Sequence, residues 1–306
     1  MSKLLEAEDL VKHFPVRAGL FGKPRQFVHA VDEITISMVE GEILALVGES
    51  GCGKTTLGKL IMRFIEPDEG SIRLNGREIL NINDDEMRAL RVKMQMIFQD
   101  PLASLNPRKL IRQILSQPYL IHGAASTKKE AEEYALSLLE QVGIVPPEVF
   151  IDRYPHELSG GQRQRVVVAR AIALKPSFIT HDLSVVRSLA NRVAIMYFGQ
   201  IVEHGTTEQT FHNPLHPYTR ALLSATPIPN PWKARTRQRI VLTGEVPSTT
   251  DVPPGCRFHP RCPFKKDLCA ASKPELHMSE DGHVVACHFA EQIRDYFEKT
   301  QSQPAQ

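Results

Sequence analysis

The tightest constraint on this chain is the octapeptide Gly48-Glu49-Ser50-Gly51-Cys52-Gly53-Lys54-Thr55. It fits the pattern G-x-x-x-x-G-K-[ST] and has the setting that pattern requires. Before it, EILALVG (42–48) is a continuous apolar run, as in a strand buried on both faces. After it, TTLGKLIMRFI (55–65) has the periodicity of an amphipathic helix. Glycines let such a loop curl until its N–H groups face phosphate oxygens, and the helix N-terminus adds partial positive charge. Lys54 is placed to reach the β/γ-phosphates and Thr55 to ligate Mg²⁺, with Thr56 completing the set. Cys52 reads as a small loop residue, not a reactive thiol.

Composition narrows the classes around that motif. A chain of 306 residues suits one large α/β domain with an appendage, or two domains. With 42% hydrophobic and 24% charged residues it is neither collagen-like, nor disordered, nor a polytopic membrane protein. Lys+Arg and Asp+Glu stand at 37 and 35, a net charge of +2, so there is no basic footprint for nucleic acid. No apolar run approaches the roughly 20 residues of a membrane span. The start, MSKLLEAEDL, lacks the apolar core of a signal peptide, so a cytosolic protein is expected.

LLEAEDLV and VDEITISM read as antiparallel strands, SIRLNG and MQMIF (94–98) as further strands, and 110–143 as mainly helical. A helix over 161–175 should stop at Pro176, and VAIMYFGQIVEHG (193–205) should form a hairpin. Proline and loop residues dominate after about residue 226, where a domain boundary is placed.

A phosphate loop alone could serve a kinase, a GTPase or a motor. Leu158-Ser159-Gly160-Gly161-Gln162 decides between them: it precedes a helix, so its N–H groups can form a second anion cradle. With this pentapeptide the chain resembles the ATPase subunits of ABC transporters, whose signature is LSGGQ. The resemblance implies an ABC-type α/β P-loop core with a mixed sheet, and a helical subdomain over about 100–160. It also implies two subunits that sandwich two ATP molecules. Each site would combine one subunit's phosphate loop (Gly48, Glu49, Ser50, Gly51, Cys52, Gly53, Lys54, Thr55, Thr56) with Ser159, Gly160, Gly161 and Gln162 of the other. By the same resemblance Gln99 in MIFQDP is the Q-loop glutamine, touching Mg²⁺ or water and the membrane subunits. His181 in THDLSVV is the switch histidine at the γ-phosphate. The adenine needs an aromatic from the N-terminal sheet; Phe14 is the first choice and Phe27 the second.

One family element is missing. The resemblance implies a Walker B strand, four apolar residues followed by Asp-Glu, whose Asp holds Mg²⁺ through water and whose Glu polarises the attacking water. A D-loop should follow it. Here only Ser177, Phe178, Ile179 and Thr180 separate Pro176 from His181. Val149-Phe150-Ile151-Asp152 lies before the signature, Asp84-Asp85-Glu86 follows a polar NIN, and Asp182 follows the histidine, so none is a substitute. The expectation is nucleotide binding with poorly held Mg²⁺, impaired hydrolysis, and a core short of one strand and one helix. Three explanations stand: a deletion in a decayed gene, an omission in the sequence, or a subunit that only donates its signature to a partner's intact site.

The last third carries HPYTRALL (216–223) and GCRFHPRCP (255–263), which resemble the C-terminal extension of peptide-importer ATPases. That implies domains of 1–225 and 226–306 and import of dipeptides or oligopeptides, with nickel as a neighbouring possibility. The implied partners are two membrane-spanning permease subunits, a second ATP-binding subunit and an extracytoplasmic peptide-binding protein. The implied place is the cytoplasmic face of the inner membrane. Cys256, Cys262, Cys269 and Cys287 are separated by five, six and seventeen residues, which is not a short metal-knuckle spacing. A [4Fe–4S] cluster, as in some similar proteins, zinc with help from His259, His283 or His288, and four reduced thiols in a small core all remain open.

Overall fold

The computed structural model describes residues 3–16, 26–91, 94–96, 105–174, 177–179, 190–225, 240, 242, 244, 248 and 250–301. Two compact units emerge: residues 1–80 with 181–306, and residues 81–180.

The first unit begins with two long antiparallel strands, β1 (Lys3–Val16) and β2 (Gln26–Val39). Alternation buries Leu5 and Ala7; a register shift between Ala7 and Leu10 then re-phases β1 so that Leu10 and Val11 turn inward. The register sets His13 opposite His29 and Phe14 opposite Val28. β3 (Leu44–Val47) and α1 (Lys54–Ile61) flank the octapeptide, as the sequence predicts. β4 (Glu69–Leu74) and β5 (Arg77–Glu78) complete a sheet of order β2-β1-β4-β5.

The second unit is mainly helical. It runs through α2 (Asp84–Arg91), β6 (Met94–Met96), α3 (Ile111–Ile121), α4 (Lys128–Gln141), α5 (Pro147–Phe150), α6 (Gly160–Ile172) and β7 (Ser177–Ile179). Its core joins Ile111, Ile114 and Leu115 to Leu138, Leu139 and Val166, one apolar stripe from each of α3, α4 and α6. Thr127 caps α4 by accepting from the Glu130 N–H, and the Glu130 carboxylate accepts from the Ser126 N–H. The segment that replaces the expected long stretch forms β7, parallel to β6 in a sheet of its own: Met94 pairs with Ser177 and Met96 with Ile179.

The chain then returns to the first unit. β8 (Arg192–Tyr197) and β9 (Gln200–Thr206) form the predicted hairpin. Its two-residue turn has φ of 47° at Phe198 and 80° at Gly199, the positive pair of a type I′ turn. α7 (Thr207–His212) and α8 (Pro217–Ala225) follow, then α9 (Asp267–Ala271), β10 (His277–Met278), β11 (Val284–Val285) and α10 (Ala290–Gln301). The second sheet has the order β10-β11-β9-β8-β3, with β3 parallel to β8. The extension therefore supplies one end of this sheet. At the other end β3 hydrogen-bonds to β8 alone among the described strands. Val193, Ile195, Tyr197, Tyr218 and Phe258 fill the core beneath it. Among the described residues no helix is long and apolar enough to cross a membrane.

Candidate nucleotide site

The octapeptide is a tight loop held by its neighbours. All four residues of β3 are buried. A Cβ on Gly48 would lie 2.1 Å from the Met196 carbonyl oxygen, and one on Gly53 would lie 2.0 Å from that of Ala30. Gly53 also has φ of +107°, a backbone state that L side chains rarely adopt. Lys54 Nζ turns back over the loop and donates to the carbonyls of Gly48 (2.8 Å) and Glu49 (2.7 Å). It lies 3.4 Å from Cys52 Sγ. Burial pushes the Cys52 thiol up, which fits a packed loop residue. Thr55 is exposed and Thr56 half-buried at the start of α1.

Three contacts from the C-terminal third hold this loop, and sequence reasoning missed them. The Tyr218 hydroxyl on α8 accepts from the Glu49 N–H at 2.8 Å. Arg261 grips the Glu49 carboxylate with both terminal nitrogens, at 2.8 and 3.2 Å. Arg257 ion-pairs with Asp32 on β2 and donates to the Phe198 carbonyl at 2.6 Å, while the next N–H, of Gly199, donates to the Cys52 carbonyl. The signal lay in HPYTRALL and GCRFHPRCP, which the sequence offered only as family marks, with no partner for their cations.

Phe14 is partly exposed on β1 and Phe27 partly exposed on β2. Beside them, the ligand atoms of His13, His29 and Asp32 all lie within 4.8 Å of one another. Two of the trio are already partnered: His13 Nε2 is 3.2 Å from one Asp32 oxygen and Arg257 pairs with the other, while the buried His29 Nδ1 has no hydrogen-bond partner among the described residues. Although burial opposes it, the Arg257 charge holds the Asp32 carboxyl below its ordinary range. Its charge is committed to the arginine, which disfavours a cation.

Ser159 is the N-cap of α6 in the second unit. Its hydroxyl accepts from the Gln162 N–H at 3.3 Å, and the Gln162 side chain accepts from the Ser159 N–H at 2.9 Å. Gly160 and Gly161 are exposed, and a Cβ on either would meet nothing within 4 Å. Among the described residues nothing demands glycine there, although each costs helix stability.

The ABC transporter family model matches residues 31–183, and the oligopeptide/dipeptide transporter C-terminal region matches residues 202–269. The oligopeptide transport ATP-binding protein AppF of Bacillus subtilis is 42% identical, covering 93% of this chain and 97% of its own length. The dipeptide transport ATP-binding protein DppF of Haemophilus influenzae is 44% identical, covering 93% and 96%. The chain belongs to the ATP-binding subunits of peptide ABC transporters. The dimeric ATP-binding cassette MJ0796, in a post-hydrolysis state with ADP and Pi, superposes over 66% of this chain and 98% of its own with a TM-score of 0.58 at 22% identity, a likeness of fold. The alignment to AppF spans 321 residues, more than the 306 of this chain. That relative therefore carries residues with no counterpart here.

In this ATP-binding subunit, Gln99 and His181 lie outside the described residues, as does Asp182. The other acidic groups considered for the missing pair are occupied elsewhere. Asp84, Asp85 and Glu86 form the first turn of α2, and Asp152 pairs with Arg112 at 2.5 Å.

Cys256, Cys262, Cys269 and Cys287, far apart in sequence, line one small pocket with Phe258, Phe264, Phe289 and Ile293. The Cys256 N–H donates to the Cys269 carbonyl at 2.8 Å, which brings two of the segments together. Burial pushes Cys256 up, Cys262 up to about 11 and Cys287 up to about 12. Among the described residues no three of these sulfurs come within 4.8 Å of one another, wider than a single tetrahedral zinc holds its ligands. His259 and His288 lie at the pocket with a ring nitrogen each on a backbone carbonyl. His283 is elsewhere, with Nε2 2.9 Å from Glu203 Oε1 and both side chains fully buried. Four thiols sharing one apolar lining are the kind of donor set a cluster takes.

Proposed function

We propose that this chain is the energy-coupling ATP-binding subunit of an ABC importer for dipeptides or oligopeptides, bound at the cytoplasmic face of the inner membrane. Its partners would be two permease subunits, a second ATP-binding subunit and an extracytoplasmic peptide-binding protein. The observation that carries the reading is the phosphate loop itself, cramped against the Met196 and Ala30 carbonyls with Lys54 folded over it. The loop N–H groups past Glu49, whose own N–H is held by Tyr218, would face the phosphates, Lys54 would exchange its carbonyl contacts for phosphate oxygens, and Thr55 with Gln99 would hold Mg²⁺. Phe14 would stack on adenine, and His181 would meet the γ-phosphate.

The bare glycines at 160 and 161 favour close approach by a group from outside the chain. They support a role in trans, with Ser159, Gly160, Gly161 and Gln162 completing the partner's site. Hydrolysis at the chain's own loop is expected to be weak, because the sequence offers no Asp-Glu pair after an apolar strand. A second reading follows from the same fact: the chain binds ATP and donates its signature while the partner hydrolyses. Nucleotide closure and reopening would still drive the permease.

Cys256, Cys262, Cys269 and Cys287 would hold a [4Fe–4S] cluster in the apolar pocket. When bound, such a group supplies one-electron redox chemistry or a structural cross-link. The thiols would reach it only by losing protons that burial otherwise retains. Domains of 1–225 and 226–306 remain the proposed functional division.

The test is ATP-driven peptide uptake by the complex reconstituted in vesicles. Lys54→Ala in this chain should abolish uptake if its loop is needed. Unchanged turnover would leave only the signature-donor reading. Brown colour in anaerobically purified protein, lost in Cys→Ser variants, would establish the cluster, and colourless protein would refute it.

A further inference from the structure

We infer that Arg261 is a positioning residue for the phosphate loop, through which the cysteine-bearing extension presets ATP affinity. This rests on the proposal that the loop binds ATP.

Glu49 is the second residue of the octapeptide, and its carboxylate is fixed by a two-pronged ion pair with Arg261, 212 positions away. Arg261 is 8% exposed and Glu49 29%, so the arginine end of the pair is well shielded. The same residue's N–H is held by Tyr218, so both main chain and side chain at position 49 are anchored to the C-terminal third. Arg261 ends the short 3₁₀ turn His259–Arg261, and the next residue is Cys262 of the thiol pocket.

Two physical consequences follow. A loop that must present several N–H groups at once binds best when it does not have to be ordered first. An acidic side chain beside a polyphosphate would also repel it, and pairing Glu49 with Arg261 neutralises that charge. Arg261 therefore acts on the nucleotide through Glu49, with no need to touch it. Lysine can satisfy one carboxylate oxygen but not both, so it should rescue in part.

The experiment uses the full chain and two readouts. The first is binding of a fluorescent ATP analogue with Mg²⁺. Arg261→Ala should weaken it by about tenfold, Arg261→Lys by clearly less, and Arg261→Ala combined with Glu49→Gln no more than the worse single change. The second is hydrogen exchange of the 49–53 amides without nucleotide, which Arg261→Ala should accelerate while the amides of β4 stay unchanged. Arg261→Ala binding within twofold of the native chain, or additive losses in the double variant, would overturn the inference. If Arg261→Ala fails to fold, Arg261→Lys and Glu49→Gln carry both readouts. If the native chain binds no ATP, or Lys54→Ala binds as tightly, the ATP reading fails, and loop exchange still judges Arg261.

Discussion

The Tyr218 hydroxyl accepts a 2.8 Å hydrogen bond from the Glu49 backbone N–H, joining α8 to the phosphate loop across 169 positions of sequence. Tyr218 is fully buried, and burial keeps the phenol neutral. Tyr218→Phe leaves that N–H without its acceptor in a site where water enters poorly. The expected cost is about 1–2 kcal/mol, seen as a lower urea midpoint at unchanged slope. ATP affinity should fall with it.

The glycines of the loop should respond unequally to one added methyl. A Cβ on Gly48 meets the Met196 carbonyl at 2.1 Å, so Gly48→Ala requires the backbone to move and should cost about 3 kcal/mol. Gly51 has φ of +81° but open space around it, so Gly51→Ala should cost only about 1 kcal/mol of conformational strain. Thermal melts of the two variants measure the difference; equal losses would show that the packing around Gly48 yields.

Gly161→Ala should separate stability from function. The position is helical and faces open space, so alanine should stabilise the chain by about 0.5–1 kcal/mol. The added methyl should nonetheless lower ATP turnover of the reconstituted complex, because it stands where another subunit's nucleotide would approach. A stabler variant with full turnover would remove the signature from the site.

Acid should destabilise the first unit through His216. Burial holds this fully buried imidazole down to about 4, against 6.5 in the unfolded chain. Below 6.5 the unfolded state takes a proton that the folded state refuses. Stability is thus fully present above pH 6.5 and falls as pH drops toward 4, by about 3 kcal/mol at pH 4. Urea unfolding at pH 7 and pH 4.5 measures the slope, and His216→Asn should reduce it, the remainder coming from His204, which burial also holds down to about 4.

The sequence was most legible where local chemistry dictates structure. β3, the phosphate loop, α1, the capped α6 and the β8–β9 hairpin all follow from short patterns: a glycine at a positive φ, a serine cap, an apolar run. The register shifts inside β1 were not legible, because each re-phases the alternation within what the sequence reads as one short apolar run. Nor were the bonds of Tyr218 and Arg261 to the loop, or of Arg257 to Asp32 and Phe198 beside it, since each joins residues whose proximity depends on the finished fold. The cysteines show both sides: their spacing suggested no pocket, and only the packing of α9 and the segment before α10 brings them together.

The way the sheet ends has a practical result for anyone dissecting this protein. β11, from the extension, pairs with β9 and hides its edge, and His283 lies beside the buried Glu203 on that strand. Removing everything after residue 226 would bare a strand edge to other molecules and take His283 from Glu203, leaving that carboxylate, among the described residues, only the Leu215 and His216 N–H groups. The cassette is therefore not a cartridge that can be cut out or exchanged at the apparent linker. Chimaeras should carry the extension together with the phosphate loop it braces.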